Sequence, residues 1–297
     1  MKHRIISLIL MLSSISTICS AKSANIITDT IPVTIDQDFV IVNASVNGKR
    51  KRLIFDTGSS NLTIMKTNKD DTKIEGYQTA TDNNQKKGET GYTFINLQLG
   101  KFTIRQYIYL LPENKVFHQF CDGTLGLTTF RMIKAIVKLD IKKKIMIITT
   151  DKKLFANERI NKTHYKLNEN GLPIISLCIG PNYKVKNVAL DTGNNRLLVI
   201  NPTDYEKIIK SKDSEKFKKQ ILYTIREHIP YSIFEDNDSI TSVKLRLNRL
   251  EALKLSLKNV EVVSEKQERS SLGGPVSNYG SIIFDPCKKD IYVQPYN

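Results

Sequence analysis

The fold of this chain is decided by two segments, LIFDTGSSNL at residues 53–62 and VALDTGNNRLLVI at residues 188–200. In each, an apolar run leads into Asp-Thr-Gly, and the two threonines lie 135 residues apart. A single Asp-Thr-Gly after a strand is explained by a tight turn, because Asp and Thr form local hydrogen bonds and Gly permits unusual backbone angles. Two copies in one chain call for a different explanation.

The Asp-Thr-Gly turns belong to a longer internal repeat. Each is followed by a Leu-Gly pair, at residues 125–126 and 272–273, and then by an apolar residue and Asp, at residues 139–140 and 284–285. Three features that recur in one order indicate duplication of a unit of roughly 130 residues. A pseudo-twofold axis between two such units would bring the two turns, and therefore Asp56 and Asp191, face to face.

Two carboxylates in contact favour acid–base chemistry. Both cannot ionise cheaply, so they share one proton over a wide pH range and titrate as a pair. The ionised carboxylate can take a proton from a bound water, and the protonated one can donate to a carbonyl oxygen under attack. Asp56 and Asp191 are therefore the candidate catalytic residues, and this chemistry requires neither a metal nor another cofactor.

These segments resemble the active-site segments of pepsin-like aspartic proteases. DGTLGL at 122–127 is similar to the Asp-Gly-Ile-Leu-Gly-Leu segment of that family, and residues 272–295 follow its C-terminal pattern. The resemblance implies a mainly β chain with two homologous β-barrel-like lobes of the acid protease fold, and an endopeptidase that binds an extended peptide between them. The lobes are lean, nearer to the retropepsin-like proteins that share the Asp-Thr-Gly turn.

The resemblance also implies roles for neighbouring residues. The threonines and glycines of both turns would hold the aspartates coplanar, and the Ser59 hydroxyl would donate to the outer oxygen of Asp56. Asn194 stands where the family has Thr or Ser, which changes the hydrogen-bond geometry. The supporting residues are thus Thr57, Gly58, Ser59, Thr192, Gly193 and Asn194.

The flap of the first lobe departs from the family pattern. Counting back without gaps from Leu99-Gly100 reaches Asn83 instead of the usual tyrosine. Tyr77 and Tyr92 are the nearby candidates for a flap residue, although each also suits an ordinary strand position.

The chain divides into four expected parts. Residues 1–24 have the charged, apolar and small-residue order of a signal peptide, which predicts a secreted or periplasmic protein. Residues 25–150 form the N-terminal lobe, the polar segment 151–171 is a linker, and 172–297 form the C-terminal lobe. No other stretch approaches membrane-spanning length, so no transmembrane segment is expected after signal removal.

Strand patterns rich in Val, Ile, Phe, Tyr and Thr dominate both lobes. They cover residues 31–46, 52–64, 92–99, 102–111, 135–148, 172–179, 185–200, 240–247, 260–263 and 281–293. Between them, residues 203–228 place apolar side chains near helical spacing with lysines between them. This segment predicts one or two amphipathic helices inserted in the C-terminal lobe.

The formal net charge of +15 has two interpretations. The lysines are scattered without interleaved aromatic residues or a nucleic-acid-binding motif, which favours a solvated basic surface and no nucleic-acid partner. The alternative is attraction to acidic surfaces or substrates. The expected partner is a peptide or protein substrate, bound by a monomer.

Three cysteines follow the signal peptide: Cys121, Cys178 and Cys287. One disulfide is possible in an oxidising compartment, with a third thiol left unpaired and the pairing open. No CxxC pair occurs, which argues against a zinc site.

Two functions remain open. An active aspartic endopeptidase is favoured by the retention of both aspartates. A catalytically inactive, peptide-binding or inhibitor-like relative is favoured by Asn194 and the altered flap. A serine or cysteine hydrolase is disfavoured because no GxSxG motif occurs and the histidines sit in no nucleophile motif.

Overall fold

Strands dominate the computed structural model, which describes residues 25–66, 72–81, 87–180, 183–211, 214–219, 221–229 and 238–296. The prediction of a mainly β chain is confirmed. The predicted signal peptide, residues 1–24, lies outside the described residues.

Strands occur along the whole described chain. Those of the N-terminal half are β1 (Thr28–Asp36), β2 (Phe39–Val46), β3 (Lys49–Phe55), β4 (Leu62–Met65), β5 (Gly76–Thr81), β6 (Lys87–Leu99), β7 (Phe102–Leu111), β8 (Gly123–Leu125), β9 (Ile136–Asp140) and β10 (Ile145–Thr149). The remaining strands are β11 (Lys162–His164), β12 (Lys166–Leu167), β13 (Pro173–Ile179), β14 (Tyr183–Asp191), β15 (Leu198–Ile200), β16 (Ile221–Ile229), β17 (Asp238–Leu247), β18 (Leu250–Ala252), β19 (Leu255–Leu257), β20 (Val260–Ser264), β21 (Ser271–Gly273), β22 (Gly280–Asp285) and β23 (Asp290–Pro295).

Helices are short. They are α1 (Lys115–Phe120), α2 (Leu127–Met132), α3 (Pro202–Ile209) and α4 (Ser214–Lys218), with 3₁₀ turns at Ala156–Glu158 and Gly274–Tyr279.

The strands form two sheets. The larger has the order β11-β23-β22-β9-β10-β1-β2-β3-β8-β4-β7-β6-β5, and the smaller has the order β16-β17-β20-β15-β21-β14-β13-β18-β19, with β12 beside β13. The C-terminal strands β22 and β23 therefore join the sheet of the N-terminal half. Backbone hydrogen bonds between β9 and β22 therefore connect the N-terminal and C-terminal halves of the chain.

A local twofold lies where the two halves meet in the larger sheet. β9 and β22 pair antiparallel with Lys138 opposite Ile283, and these residues hold equivalent positions before the repeated apolar-Asp pairs. On either side, β10 flanks β9 and β23 flanks β22. The repeat detected in the sequence thus corresponds to a symmetric four-stranded unit.

The two Asp-Thr-Gly turns emerge from equivalent strand arrangements. β3 pairs parallel with β8, which pairs antiparallel with β4. Likewise β14 pairs parallel with β21, which pairs antiparallel with β15. In the sheets β3 lies between β2 and β8, and β14 between β13 and β21. The three residues before each Asp, 53–55 and 188–190, are buried, which explains why they are all apolar.

Apolar side chains of both halves form one continuous core cluster. At its centre the ring of Phe55 packs edge-on against Phe284, with centroids 5.4 Å apart, and against Phe130, at 6.0 Å. Phe55 immediately precedes Asp56, so packing across the two halves fixes the position of the first turn. Such aromatic pairs contribute about 0.5–1.5 kcal/mol beyond the area that they bury.

The helical prediction for residues 203–228 is correct only in its first part. α3 begins after Asn201, whose side-chain oxygen accepts from the Asp204 N–H at 2.7 Å, and α4 follows at residues 214–218. Residues 221–229 instead form β16, which pairs antiparallel with β17 over almost its whole length. A neighbouring strand overrides the local helical spacing, because pairing with β17 supplies backbone hydrogen bonds that the spacing within one segment does not reveal.

The structure also differs from two smaller predictions. The predicted strand 31–46 is divided by a turn at Gln37 and Asp38, which have φ angles of 48° and 67°. The predicted linker 151–171 contains β11 and β12, which add one strand to each sheet.

The three cysteines are free thiols in the structure: Cys121 is buried, Cys178 half-buried and Cys287 exposed. Burial raises the pKa of the Cys121 thiol to about 12.

Over the described part of the chain, no helix is both long and apolar enough to cross a membrane.

Candidate active site

Asp56 and Asp191 lie at the ends of equivalent strands. Asp56 follows β3, and its N–H donates to the Leu125 carbonyl at 3.1 Å. Asp191 ends β14 opposite Gly273 of β21. Asp191 is 4% exposed and Asp56 is partly buried, and their side chains are in hydrogen-bond contact. The structure therefore brings together the two predicted carboxylates.

The two threonines of the turns hold the halves together by a reciprocal network. Thr57 Oγ1 donates to the Leu190 carbonyl at 2.7 Å, and Thr192 Oγ1 donates to the Phe55 carbonyl at 2.7 Å. Each hydroxyl also accepts from the backbone N–H of the other threonine, at 2.9 and 3.0 Å. Both side chains are 1% exposed. Four buried hydrogen bonds therefore fix the relative position of the aspartates.

Glycine is required after each threonine because the opposite carboxylate is close. A Cβ built on Gly58 would overlap the carboxylate of Asp191, and one built on Gly193 would overlap that of Asp56. The Gly58 N–H donates to Asp56 Oδ1 at 2.8 Å. Any side chain at either glycine would separate the two carboxylates.

The Leu-Gly pairs support the turns from behind. A Cβ built on Gly126 would overlap the carbonyl oxygen of Ser59, and one on Gly273 would overlap that of Asn194. Ser59 and Asn194 occupy equivalent places, since each donates its N–H to the carbonyl of the aspartate three residues earlier. The backbone around the two Asp-Thr-Gly turns is therefore equivalent.

Burial and repulsion raise the pKa of Asp56 well above its ordinary value. Desolvation is the larger cause, and the charge of Asp191 and its side-chain hydrogen bond act in the same direction. Hydrogen bonds from the backbone N–H groups of Gly58 and Ser59 oppose the shift. A pair in this setting retains a proton at a pH where an ordinary aspartate has lost it.

The expected hydrogen bond from the Ser59 hydroxyl to Asp56 is not present. The hydroxyl donates instead to the carbonyl oxygen of Asn61 at 2.7 Å, inside its own turn. Asn194 likewise turns away from Asp191: its amide donates to Ser271 Oγ at 3.0 Å, and its side-chain oxygen accepts from the backbone N–H of Arg196 at 2.9 Å. Local turn geometry uses both side chains, and the Asp56 carboxylate accepts from the Gly58 backbone N–H instead.

Both aspartates open into a cavity of about 750 Å³. Many of its lining residues were not singled out from the sequence, because they become neighbours only through folding. They are Phe39, Ser60, Asn61, Thr63, Gln78, Thr79, Ala80, Thr81, Tyr109, Leu111, Phe117, Thr124, Thr128, Arg131, Glu169, Asn170, Gly171 and Leu172.

Neither predicted flap tyrosine lines this cavity. Tyr77 is 60% exposed, and the ring of Tyr92 packs against Tyr107 with centroids 5.2 Å apart. The hairpin formed by β5 and β6 does border the cavity, through residues 78–81. Asn83 lies outside the described residues, which stop at 81 and resume at 87.

No group of three or more His, Cys, Asp or Glu side chains suited to a metal ion occurs within the described ranges.

No protein-family model matches the chain, and no curated protein matches it significantly.

Proposed function

We propose that this chain is an aspartic endopeptidase in which Asp56 and Asp191 activate a water for peptide hydrolysis. The observation that carries the proposal is the reciprocal threonine network, which holds two carboxylates in contact at the floor of a cavity. A structural role alone would not require two buried carboxylates in contact, since their repulsion opposes folding.

The proposed reaction uses the single proton of the pair. The ionised carboxylate takes a proton from a water between the aspartates, and the resulting hydroxide attacks the carbonyl carbon of the peptide bond. The other carboxylic acid donates its proton to the carbonyl oxygen, which gives a tetrahedral diol. The carboxyl group protonated in the first step then donates its proton to the amide nitrogen while the other carboxylate takes a proton back from a diol hydroxyl. The C–N bond breaks, and a carboxylic acid and an amine are released. No covalent bond to the protein forms.

The fold proposed for this reaction is that of the pepsin-like proteases, with two homologous lobes around the cavity. The equivalent strand arrangements and the local twofold between β9 and β22 support it. An extended peptide would lie across the aspartates beside the β5–β6 hairpin, which would serve as the flap. We further propose export directed by residues 1–24 and action as a monomer.

Cleavage of a mixed peptide library between pH 3 and 7 tests the assignment. Replacing either aspartate, as Asp56→Asn or Asp191→Asn, should lower kcat by at least about 10³-fold, because general acid–base catalysis contributes about 10²–10⁴-fold. Glu113→Gln is the matched control, since Glu113 is an exposed carboxylate outside the cavity. Cleavage by a folded Asp→Asn variant at the control's rate would refute the assignment.

A second candidate function is peptide binding without hydrolysis. It is favoured by the engagement of the Ser59 hydroxyl and the Asn194 amide away from the aspartates. Retained binding of library peptides, with no cleavage at any pH, would support this candidate over the protease.

A further inference from the structure

Arg131 places a positive charge at the edge of the cavity. It lies in the last turn of α2, the helix that directly follows the Leu125-Gly126 pair. Its side chain is exposed and lines both the large cavity and a smaller adjoining one beside Thr57 and Tyr165. Among the described residues that line the large cavity, Arg131 is the only cation.

The guanidinium of Arg131 makes no hydrogen bond or ion pair with any of the residues that the structure describes. Other arginines of this chain are engaged: Arg52 donates to the carbonyls of Gln119 and His118 at 3.2 and 3.0 Å, and Arg159 donates to the carbonyl of Lys152 at 3.0 Å. The donors of Arg131 are therefore available to a molecule in the cavity.

The chemistry around Arg131 suits a carboxylate. A guanidinium presents paired N–H donors that match the two oxygens of a carboxylate. Ser60, on the same cavity wall, accepts from the Asn61 amide at 3.5 Å and retains its hydroxyl proton for a ligand. Glu169 would favour a basic ligand instead, but the net charge of +15 draws acidic peptides towards the molecule and opposes basic ones.

We propose that Arg131 is a specificity-determining residue that selects an acidic side chain of the bound peptide. This inference rests on the proposed function, since it assumes that the cavity takes a peptide. It adds a substrate class: peptides with Asp or Glu at one fixed position relative to the bond that is cleaved.

The test compares peptides that differ only in one residue. A peptide cleaved by the wild-type protein is made with Asp, Asn or Lys at each position in turn and assayed at pH 5, where a free Asp is ionised. At one position, Asp should give a kcat/KM about 10- to 100-fold above Asn, the range expected for a hydrogen-bonded charge pair. Arg131→Gln should abolish this preference, and Arg131→Glu should shift it to Lys.

Two control variants separate a local effect from a general one. Arg105→Gln removes an equal charge outside the cavity, where the guanidinium lies 5.9 Å from the ring centroid of Phe94. Glu169→Gln removes the opposite charge from the cavity wall. Arg105→Gln should keep the preference for Asp, and Glu169→Gln should increase it, because the competing negative charge is removed. A wild-type protein without the preference, or an Arg131→Gln variant that keeps it, would overturn the inference.

Binding of the same peptides, measured by fluorescence anisotropy, separates this inference from the proposed function. Arg131-dependent preference for Asp in binding, without cleavage, would refute the protease and support the role of Arg131. Cleavage without a preference for Asp would support the protease and refute the role of Arg131. A protein that neither binds nor cleaves any peptide would overturn both.

Discussion

Replacing Thr57 by Val removes half of the network that holds the two aspartates together. The side chains have nearly the same shape, so the change deletes a hydroxyl and leaves little cavity. Two buried groups lose their partners: the Leu190 carbonyl and the Thr192 N–H. Each unsatisfied group costs about 1–3 kcal/mol, so the free energy of unfolding should fall by about 2–6 kcal/mol. Thr192→Val should cost a similar amount, because it orphans the Phe55 carbonyl and the Thr57 N–H.

The free energy of unfolding is measured by urea denaturation, with peptide cleavage assayed on the same samples at low denaturant. Thr129→Val is the matched control. Thr129 is fully buried, and its hydroxyl donates to Gln106 Oε1 at 3.0 Å within the N-terminal half. The control should lose stability without losing cleavage, because the aspartates keep their places. Thr57→Val should lose both.

Two results would refute this reasoning. One is a loss below about 1 kcal/mol in both Thr57→Val and Thr192→Val, which would mean that the orphaned groups find other partners. The other is full cleavage activity in either variant, which would mean that the network does not position the carboxylates.

Three further predictions concern the aspartates and their turns. Gly58→Ala and Gly193→Ala should each abolish cleavage, because the added methyl group overlaps the opposite carboxylate; cleavage above about 10% of the wild-type rate in either variant would contradict the close approach. Asp56→Asn should be more stable than the wild type at pH 7 and should lose that advantage at acid pH. Burial and the neighbouring Asp191 raise the pKa of Asp56 in the folded wild type, so the folded protein binds this proton more tightly than the unfolded chain does. The stability of the wild type therefore falls as the pH rises from the ordinary pKa of an aspartate towards the raised pKa of Asp56. Ser59→Ala should leave the acid limb of the kcat/KM profile in place, because the hydroxyl donates within its own turn.

The Asp56→Asn prediction is checked by urea denaturation of both proteins from pH 3 to pH 7. The difference between them isolates the aspartate pair, since groups away from Asp56 and Asp191 titrate alike in both proteins. A constant difference across the range would show that the pKa of Asp56 is not raised. For Ser59→Ala, a clear shift of the acid limb would show that the hydroxyl reaches the carboxylate when a peptide is bound.

Local sequence patterns predicted most strands of the N-terminal half but missed β5 and β8, and they succeed where alternating burial leaves a clear signature. In β7, residues 102, 104, 106 and 108 are buried while 103 and 105 are exposed. The same approach was wrong for residues 221–229, which have apolar residues at helical spacing but pair with β17. The spacing was ambiguous, and although residues 240–247 were predicted as a strand, the pattern within 221–229 does not show that the two segments pair.

The sequence by itself determined the pair of candidate carboxylates and the duplication that relates them. Both depend on short motifs whose order is visible without a structure. The glycines after each threonine could also be found this way, because no other residue tolerates the close approach of a carboxylate.

Only the tertiary structure decided what surrounds those carboxylates. It turned the hydroxyl of Ser59 towards Asn61, joined β22 and β23 to the sheet of the N-terminal half, and placed Arg131 at the cavity edge. The physical reason is that each of these outcomes depends on groups that are distant in sequence or on competition between nearby hydrogen-bond acceptors. A motif records which residues are present, whereas the folded chain decides which of their possible partners they meet.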